Sequence, residues 1–281
     1  MKRLGHGILI CLLSATLLPA QSGGTRWQRG ARTVRDLELF HSTHAINLNT
    51  AETLAKGDLE FEVSHRFLPP ITDGAESLYG VDGPVNMRLA LGYAVSRRLL
   101  ITLGRSNVAD NTDLFIKWKA GQIRHSRFPM LVALRAGASY NGQLLGPIAG
   151  ESRRLQPFVQ LVVNTLIRNR VGIGLVPGYV RNAHIYCSSC QYSFTIGNYI
   201  QLYLSPNWSL LAEWIPTVTG WRQNHNTVAL GIEIETGGHF FKILVSNNSH
   251  INTVQTHSGA DLDFASGDWR LGFMITRLLK L

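Results

Sequence analysis

The chain has 281 residues, of which 45% are hydrophobic and only 16% charged, with a formal charge of +9. A soluble domain usually carries ~25% charged residues, and a polytopic helical membrane protein would sit well above the observed mean hydropathy of +0.03. Low charge without long apolar runs points instead to alternation, apolar residues on one strand face and polar residues on the other.

At the N-terminus, Lys2 and Arg3 precede an apolar stretch over residues 7–18 that ends at Pro19-Ala20-Gln21. A positive start, a short apolar centre and a small residue before a polar one predict a secretory signal peptide over residues 1–20. The apolar centre is shorter than the ~20 residues that span a bilayer. Cys11 follows Ile10 rather than the small residue that lipoprotein processing requires. Residues 21–57, with Arg26, Arg29, Arg32 and Arg35 spaced three apart, read as an N-terminal periplasmic arm. The basic balance does not imply nucleic acid, because an exported chain without a dense Lys/Arg run has little occasion to meet it. Arg97-Arg98, Arg124/Arg127 and Arg168/Arg170 fall in short connections, where they face anionic lipid heads.

From residue 58 onward the period is two. Residues 58–67 (DLEFEVSHRF) place Leu59, Phe61, Val63 and Phe67 on one face and Glu60, Glu62, Ser64 and Arg66 on the other. The same alternation runs through 85–95, 113–120, 155–165, 227–235 and 268–276. Blurrier strands lie at 99–105, 130–140, 171–179, 192–204, 208–217 and 239–246. Most approach the ~9–11 residues of a tilted membrane strand. Their connections alternate in length: short at 96–98, 168–170, 205–207 and 236–238 with a moderate one at 121–127, and long at 68–84, 141–154, 181–191, 218–226 and 247–267, with 106–111 the one short member of that second set. The fold class is therefore all-β, an antiparallel transmembrane β-barrel of about twelve strands over 58–281, with short periplasmic turns and long outer loops. A soluble sandwich would have to bury the charges of the second face in one core, at high cost; a membrane barrel turns that face to a polar lumen. Phe67, Tyr140, Tyr179, Tyr203, Trp208 and Trp269 lie near strand ends, as interfacial girdles require.

Phe40-His41-Ser42-Thr43, Ile46-Asn47, Ser64-His65-Arg66-Phe67, Gly104-Arg105-Ser106, Ile234-Glu235-Thr236-Gly237-Gly238-His239 and Gly267-Asp268-Trp269 together resemble a bacterial family of membrane-bound β-barrel domains of unknown function. The likeness runs from about Asp36 to the C-terminus and implies an outer-membrane barrel with no assigned activity.

Several constellations bear on chemistry. Cys187-Ser188-Ser189-Cys190 lies in a long loop near His184; Gln191 stands where covalent haem attachment needs histidine, and no second CxxC completes a cysteine zinc site. A disulfide between Cys187 and Cys190 fits an oxidising compartment. Ser64 and His65 suggest a lipid hydrolase, yet neighbours on a strand point to opposite faces. Gly237-Gly238 supplies the positive φ of a two-residue hairpin, which brings Glu235 and His239 near one another. On the alternation Glu60, Glu62, Arg66, Arg88, Lys117, Lys119, Arg135, Glu213, Glu233, Glu235, Lys242 and Arg270 point inward. They form either an interlocked salt-bridge core or a narrow polar path for small solutes.

The sequence thus predicts an exported, outer-membrane barrel that binds or passes small polar solutes, without cofactor, metal or catalytic residues. Its expected partners are outer-membrane lipid and the barrel-assembly machinery. The alternatives are a lipid hydrolase with His65 as base, and a docking barrel that engages a partner through its loops.

Overall fold

The computed structural model describes residues 37–144 and 150–280. The predicted signal peptide and the Arg26–Arg35 part of the arm lie outside these residues. The wall consists of β1 (Leu59–Phe67), β2 (Val85–Ser96), β3 (Leu99–Ser106), β4 (Asn111–Ile123), β5 (Met130–Asn141), β6 (Leu155–Ile167), β7 (Val171–Arg181), β8 (Tyr192–Ser205), β9 (Trp208–Ile215), β10 (Thr217–Gly220), β11 (Thr227–Thr236), β12 (His239–Ser246) and β13 (Arg270–Leu279). Each strand pairs antiparallel with its neighbours; β1 meets β13, and β8 pairs with β9, so the sheet closes on itself. β9 and β10 are one stave interrupted at Pro216, which has no N–H to give the ladder. The result is a closed antiparallel barrel of twelve staves, matching the twelve predicted strand for strand.

Closure follows from the residue pattern. The outward phase carries Phe61, Leu89, Leu91, Leu103, Leu114, Ile116, Trp118, Val159, Leu161, Ile232 and Ile243, all exposed. At one end the connections are tight: Ser96 pairs with Leu99, Ser205 with Trp208 and Thr236 with His239, leaving two-residue turns. Gly237 and Gly238 take the left-handed φ values of +55° and +91° that such a turn demands. Arg168 and Asn169 do the same at +52° and +53° despite carrying side chains. The opposite end holds the long loops, three of them with short helical turns: Ile71–Ser77, Glu151–Arg154 and α1 (Thr253–Thr256).

Two segments of the chain fold into the lumen. Residues 37–57 do not hang below the barrel as an arm. They enter from the short-turn end, reverse at Ala45–Leu48 and return to β1, so that Leu39, Phe40, Ala45, Ile46, Leu48, Ala51 and Leu54 are buried. His44 bridges Asn49 and Thr50 N–H donates to Thr43 O at 3.0 Å, defining a hairpin. The physical reason is composition: the segment is apolar and small, and a chain that can bury Phe40, Ile46 and Leu48 gains roughly 1.5–3 kcal/mol for each large side chain. The wall yields room for it. Gly172 faces the Phe40 ring and Gly174 faces the Tyr199 ring, where a Cβ would come within 2.6 and 2.1 Å respectively. From the other end, residues 247–260 fold inward and bury Asn247, Asn248, Val254, Thr256 and His257.

Candidate functional site

The inward face of the wall carries the predicted charges. Of the twelve predicted residues, ten are buried; Lys119 and Glu235 are half-buried near the short-turn end. They fall into three groups: ion pairs among themselves and with neighbouring acids, bonds to the hairpin, and bonds beneath the inward loop.

The first group is a set of ion pairs, within the wall and from the wall to a loop. Arg88 reaches Glu62 at 2.8 Å through one nitrogen and Asp113 at 2.8 and 3.2 Å through two others. Lys242 meets Glu233 at 2.9 Å. Arg270 grips Asp261 of the inward loop at 2.9 and 2.7 Å. Asp113 shares the inward phase of Phe115 and Lys117, so the period-two pattern marked its position although its role as partner was not read.

The second group clamps the hairpin. Glu213 of β9 accepts the backbone N–H groups of Ile46, Asn47 and Leu48 at 2.5, 2.8 and 3.1 Å, a carboxylate seated in the hairpin tip. Lys117 of β4 donates to Thr43 O, Asn49 Oδ1 and Thr50 O at 3.0, 3.2 and 3.2 Å, committing all three ammonium donors. Arg66 donates to Asn47 Oδ1 at 2.9 Å, and Asn164 Oδ1 accepts from Ala51 N–H at 2.6 Å. Lower down, Glu52 of the hairpin accepts from Leu39 and Phe40 N–H at 2.6 and 3.1 Å and pairs with Lys119 at 3.1 Å. Glu235 pairs with His41 at 2.7 Å; its expected neighbour His239 instead lies 3.3 Å from Thr236 O. Tyr203, expected in an interfacial girdle, points inward and accepts from His41 N–H at 3.3 Å. Tyr140, Tyr179 and Trp208 are exposed as a girdle requires.

His44 sits at the centre, 3.5 Å from Glu60 and 3.8 Å from Glu62, with Thr43 Oγ1 at 2.9 Å. Burial first, then the cations Lys117, Lys242, Arg88 and Arg135, hold its pKa well below 6.5.

The third group lies under the inward loop. Arg135 is sandwiched by Phe115, 3.6 Å from the ring centre, and Phe158, and donates to Gln160 and Thr253 at 2.7 and 2.8 Å. Its aromatic sandwich supplies cation–π attraction in place of a carboxylate. His257 bridges Gln160 at 2.7 Å and Thr195 at 2.6 Å. Desolvation, then Arg135, pushes its pKa down to about 3.

Among the described residues the lipid face carries no matching set. Ser64 points inward and donates to Glu62 at 2.7 Å, whereas His65 stacks on Phe273 at 4.4 Å with Met87 as its other cross-strand neighbour. The pair is split by strand geometry, and the described neighbours of His65 offer neither nucleophile nor acid. In the long loop after β7, Cys187 and Cys190 form a disulfide. The hairpin is what sequence reasoning missed. It has no periodicity to announce it, and its charged residues, Glu38, Glu52 and Lys56, are about as frequent as in the chain as a whole.

An apolar exterior around a closed sheet, with the charged side chains turned to the interior, defines a membrane β-barrel. The chain belongs to the membrane bound beta barrel domain family, whose model matches residues 40–279, hairpin included. No curated protein matches it in sequence. Among solved structures it is similar to the NanC porin, at 8% identity and a TM-score of 0.48 over 79% of this chain and 100% of that one. It is also similar to an outer membrane channel from Pseudomonas putida F1, at 12% identity and 0.47 over 82% and 98%. Outer membrane phospholipase A from Escherichia coli matches at 11% identity and 0.40 over 80% and 90%.

Proposed function

We propose that this protein is an outer-membrane barrel that binds and passes small polar solutes through its lumen, with the N-terminal hairpin as a resident plug. The observation that carries this reading is how the plug is held. Glu213, Lys117 and Asn164 grip its backbone by hydrogen bonds that water or a polar solute can replace, group for group. Around it the wall carries both signs of charge: Glu60 and Arg66 on β1, Arg88 on β2, Lys117 on β4, Glu213 on β9, Glu233 on β11 and Lys242 on β12. A lumen of that chemistry suits zwitterionic and polar molecules rather than apolar ones, because its ionic side chains would have to be desolvated against an apolar ligand. On this reading the expected partners are membrane lipid outside, the barrel-assembly machinery during insertion, and the solute within.

The test is liposome swelling with small sugars and amino acids, run beside planar-bilayer conductance. Wild type is expected to pass solute slowly, with brief openings, and a chain lacking residues 37–57 to pass it quickly. If neither protein admits any solute, with the barrel shown folded by heat-modifiable migration, solute passage is excluded.

A further inference from the structure

We propose that the loop between β7 and β8 is a redox-gated site for a thiophilic d10 cation such as Zn2+, held by His184, Cys187 and Cys190. This site stands apart from the lumen and is independent of solute passage. The sequence H-x-x-C-x-x-C places one imidazole and two sulfurs at successive three-residue steps. Folding brings one ligand atom from each to within 4.8 Å of the others, the one such group among the described residues. A tetrahedral zinc with bonds of ~2.0 Å to nitrogen and ~2.3 Å to sulfur needs ligand atoms roughly 3.5–3.8 Å apart, so the two sulfurs, once reduced, separate by side-chain rotation while the imidazole stays within reach of both.

Hydrogen bonds and ring contacts that do not involve the sulfurs brace the loop. Asn182 N–H donates to Gln191 O at 2.6 Å, closing its base. His184 N–H donates to Cys190 O and Cys187 N–H to His184 O, each at 3.4 Å. Arg153 donates to Ser188 O at 2.6 Å and pins the CxxC turn to the neighbouring loop. The His184 ring is packed 4.5 Å from Trp221 and 5.8 Å from Tyr186, which fixes its orientation. Its Nδ1 is enclosed and has no hydrogen-bond partner, although an imidazole nitrogen in a folded protein normally finds one. Two thiolates and an imidazole select Zn2+ or Cu+ over Mg2+ and Ca2+, and three protein ligands leave a fourth position for water.

The disulfide and the metal exclude one another, because a disulfide sulfur is no thiolate. An external dithiol supplies two electrons and two protons to the Cys187–Cys190 bond, leaving two thiols and becoming a disulfide itself. The cation then displaces the two thiol protons as it binds.

Cobalt(II) is the probe, added anaerobically to the refolded full-length chain carrying Cys11→Ser, so that the only thiols are Cys187 and Cys190. After reduction we expect one equivalent of Co2+ to give thiolate-to-metal charge transfer and the strong visible bands of a tetrahedral site, displaced by Zn2+. The oxidised protein should show neither. Cys187→Ser with Cys190→Ser should abolish the spectrum. His184→Ala should weaken binding by at least the ~10–100-fold that losing an outer-shell contact costs, with heat-modifiable migration unchanged in every variant. Absent bands in the reduced protein, equal binding by the oxidised protein, or undiminished affinity in His184→Ala would each overturn the proposal.

Discussion

Replacing Glu213 with alanine removes the acceptor that holds the hairpin tip. In the native barrel its carboxylate receives three buried N–H groups, from Ile46, Asn47 and Leu48. Leaving a buried donor unsatisfied costs about 1–3 kcal/mol, and the three share one acceptor, so their costs do not add fully. We therefore take the loss as about 3–6 kcal/mol, after some relief from water entering the vacated space. Against it stand Phe40, Ile46 and Leu48, whose burial is worth roughly 1.5–3 kcal/mol each. The hairpin should thus stay docked in most molecules while its undocked fraction rises about 10²–10⁴-fold, at ~1.4 kcal/mol per tenfold. Amide hydrogen exchange at residues 46–48 reads this fraction directly and should accelerate by that factor. Exchange at wall amides of β4 and β5 should not change. Glu213→Gln, which keeps one acceptor oxygen, should fall between. Native protection at all three amides in Glu213→Ala would refute the view that this carboxylate holds the plug.

Arg88→Ala would leave Glu62 and Asp113 buried beside one another without their cation, costing about 3–5 kcal/mol; the temperature at which the folded band is lost on heating in detergent should drop clearly, and an unshifted transition would contradict the pairing. Gly174→Ala would drive a Cβ into the Tyr199 ring, and the resulting shift should loosen Phe40, which packs edge-on against that ring at 5.6 Å; faster exchange at residues 39–41 checks it. Leu114→Lys puts a charge on the exposed outer face, at about 2–4 kcal/mol if it lies near the bilayer midplane; reduced folding yield into lipid is expected, and a yield equal to wild type would place that face outside the membrane. Acid should loosen the inward loop through His257, whose pKa falls from 6.5 to about 3 on folding. The neutral form is the native one, so its contribution is whole above pH 6.5 and wanes as pH falls toward about 3. At two pH units below 6.5 the loss is about 2.7 kcal/mol, read as faster exchange over residues 253–258 at acid pH; His257→Gln should flatten that dependence, and an identical pH profile in the variant would remove His257 as the cause.

What the sequence determined by itself was everything that depends on the two-residue period. Every stave can be read from alternation, because a strand that meets lipid on one side and a polar lumen on the other must change partner at each residue. The same rule sent Glu60, Arg88, Lys117 and Glu213 inward and separated Ser64 from His65. It also spread the low charge content across a lumen, where each ionic group found a partner. What only the tertiary structure decided was what fills that lumen. Residues 37–57 have no period, since a hairpin surrounded by wall on all sides has no solvent face to leave a polar stripe. Their partners, Glu213, Lys117 and Asn164, lie 113 to 167 positions away along the chain for the N–H bonds of the tip and Ala51, and about 70 for the ammonium. Such pairings are set by closure of the barrel, which brings distant strands around one axis. The periplasmic arm expected from residues 21–57 therefore became, from residue 37 onward, the interior of the molecule.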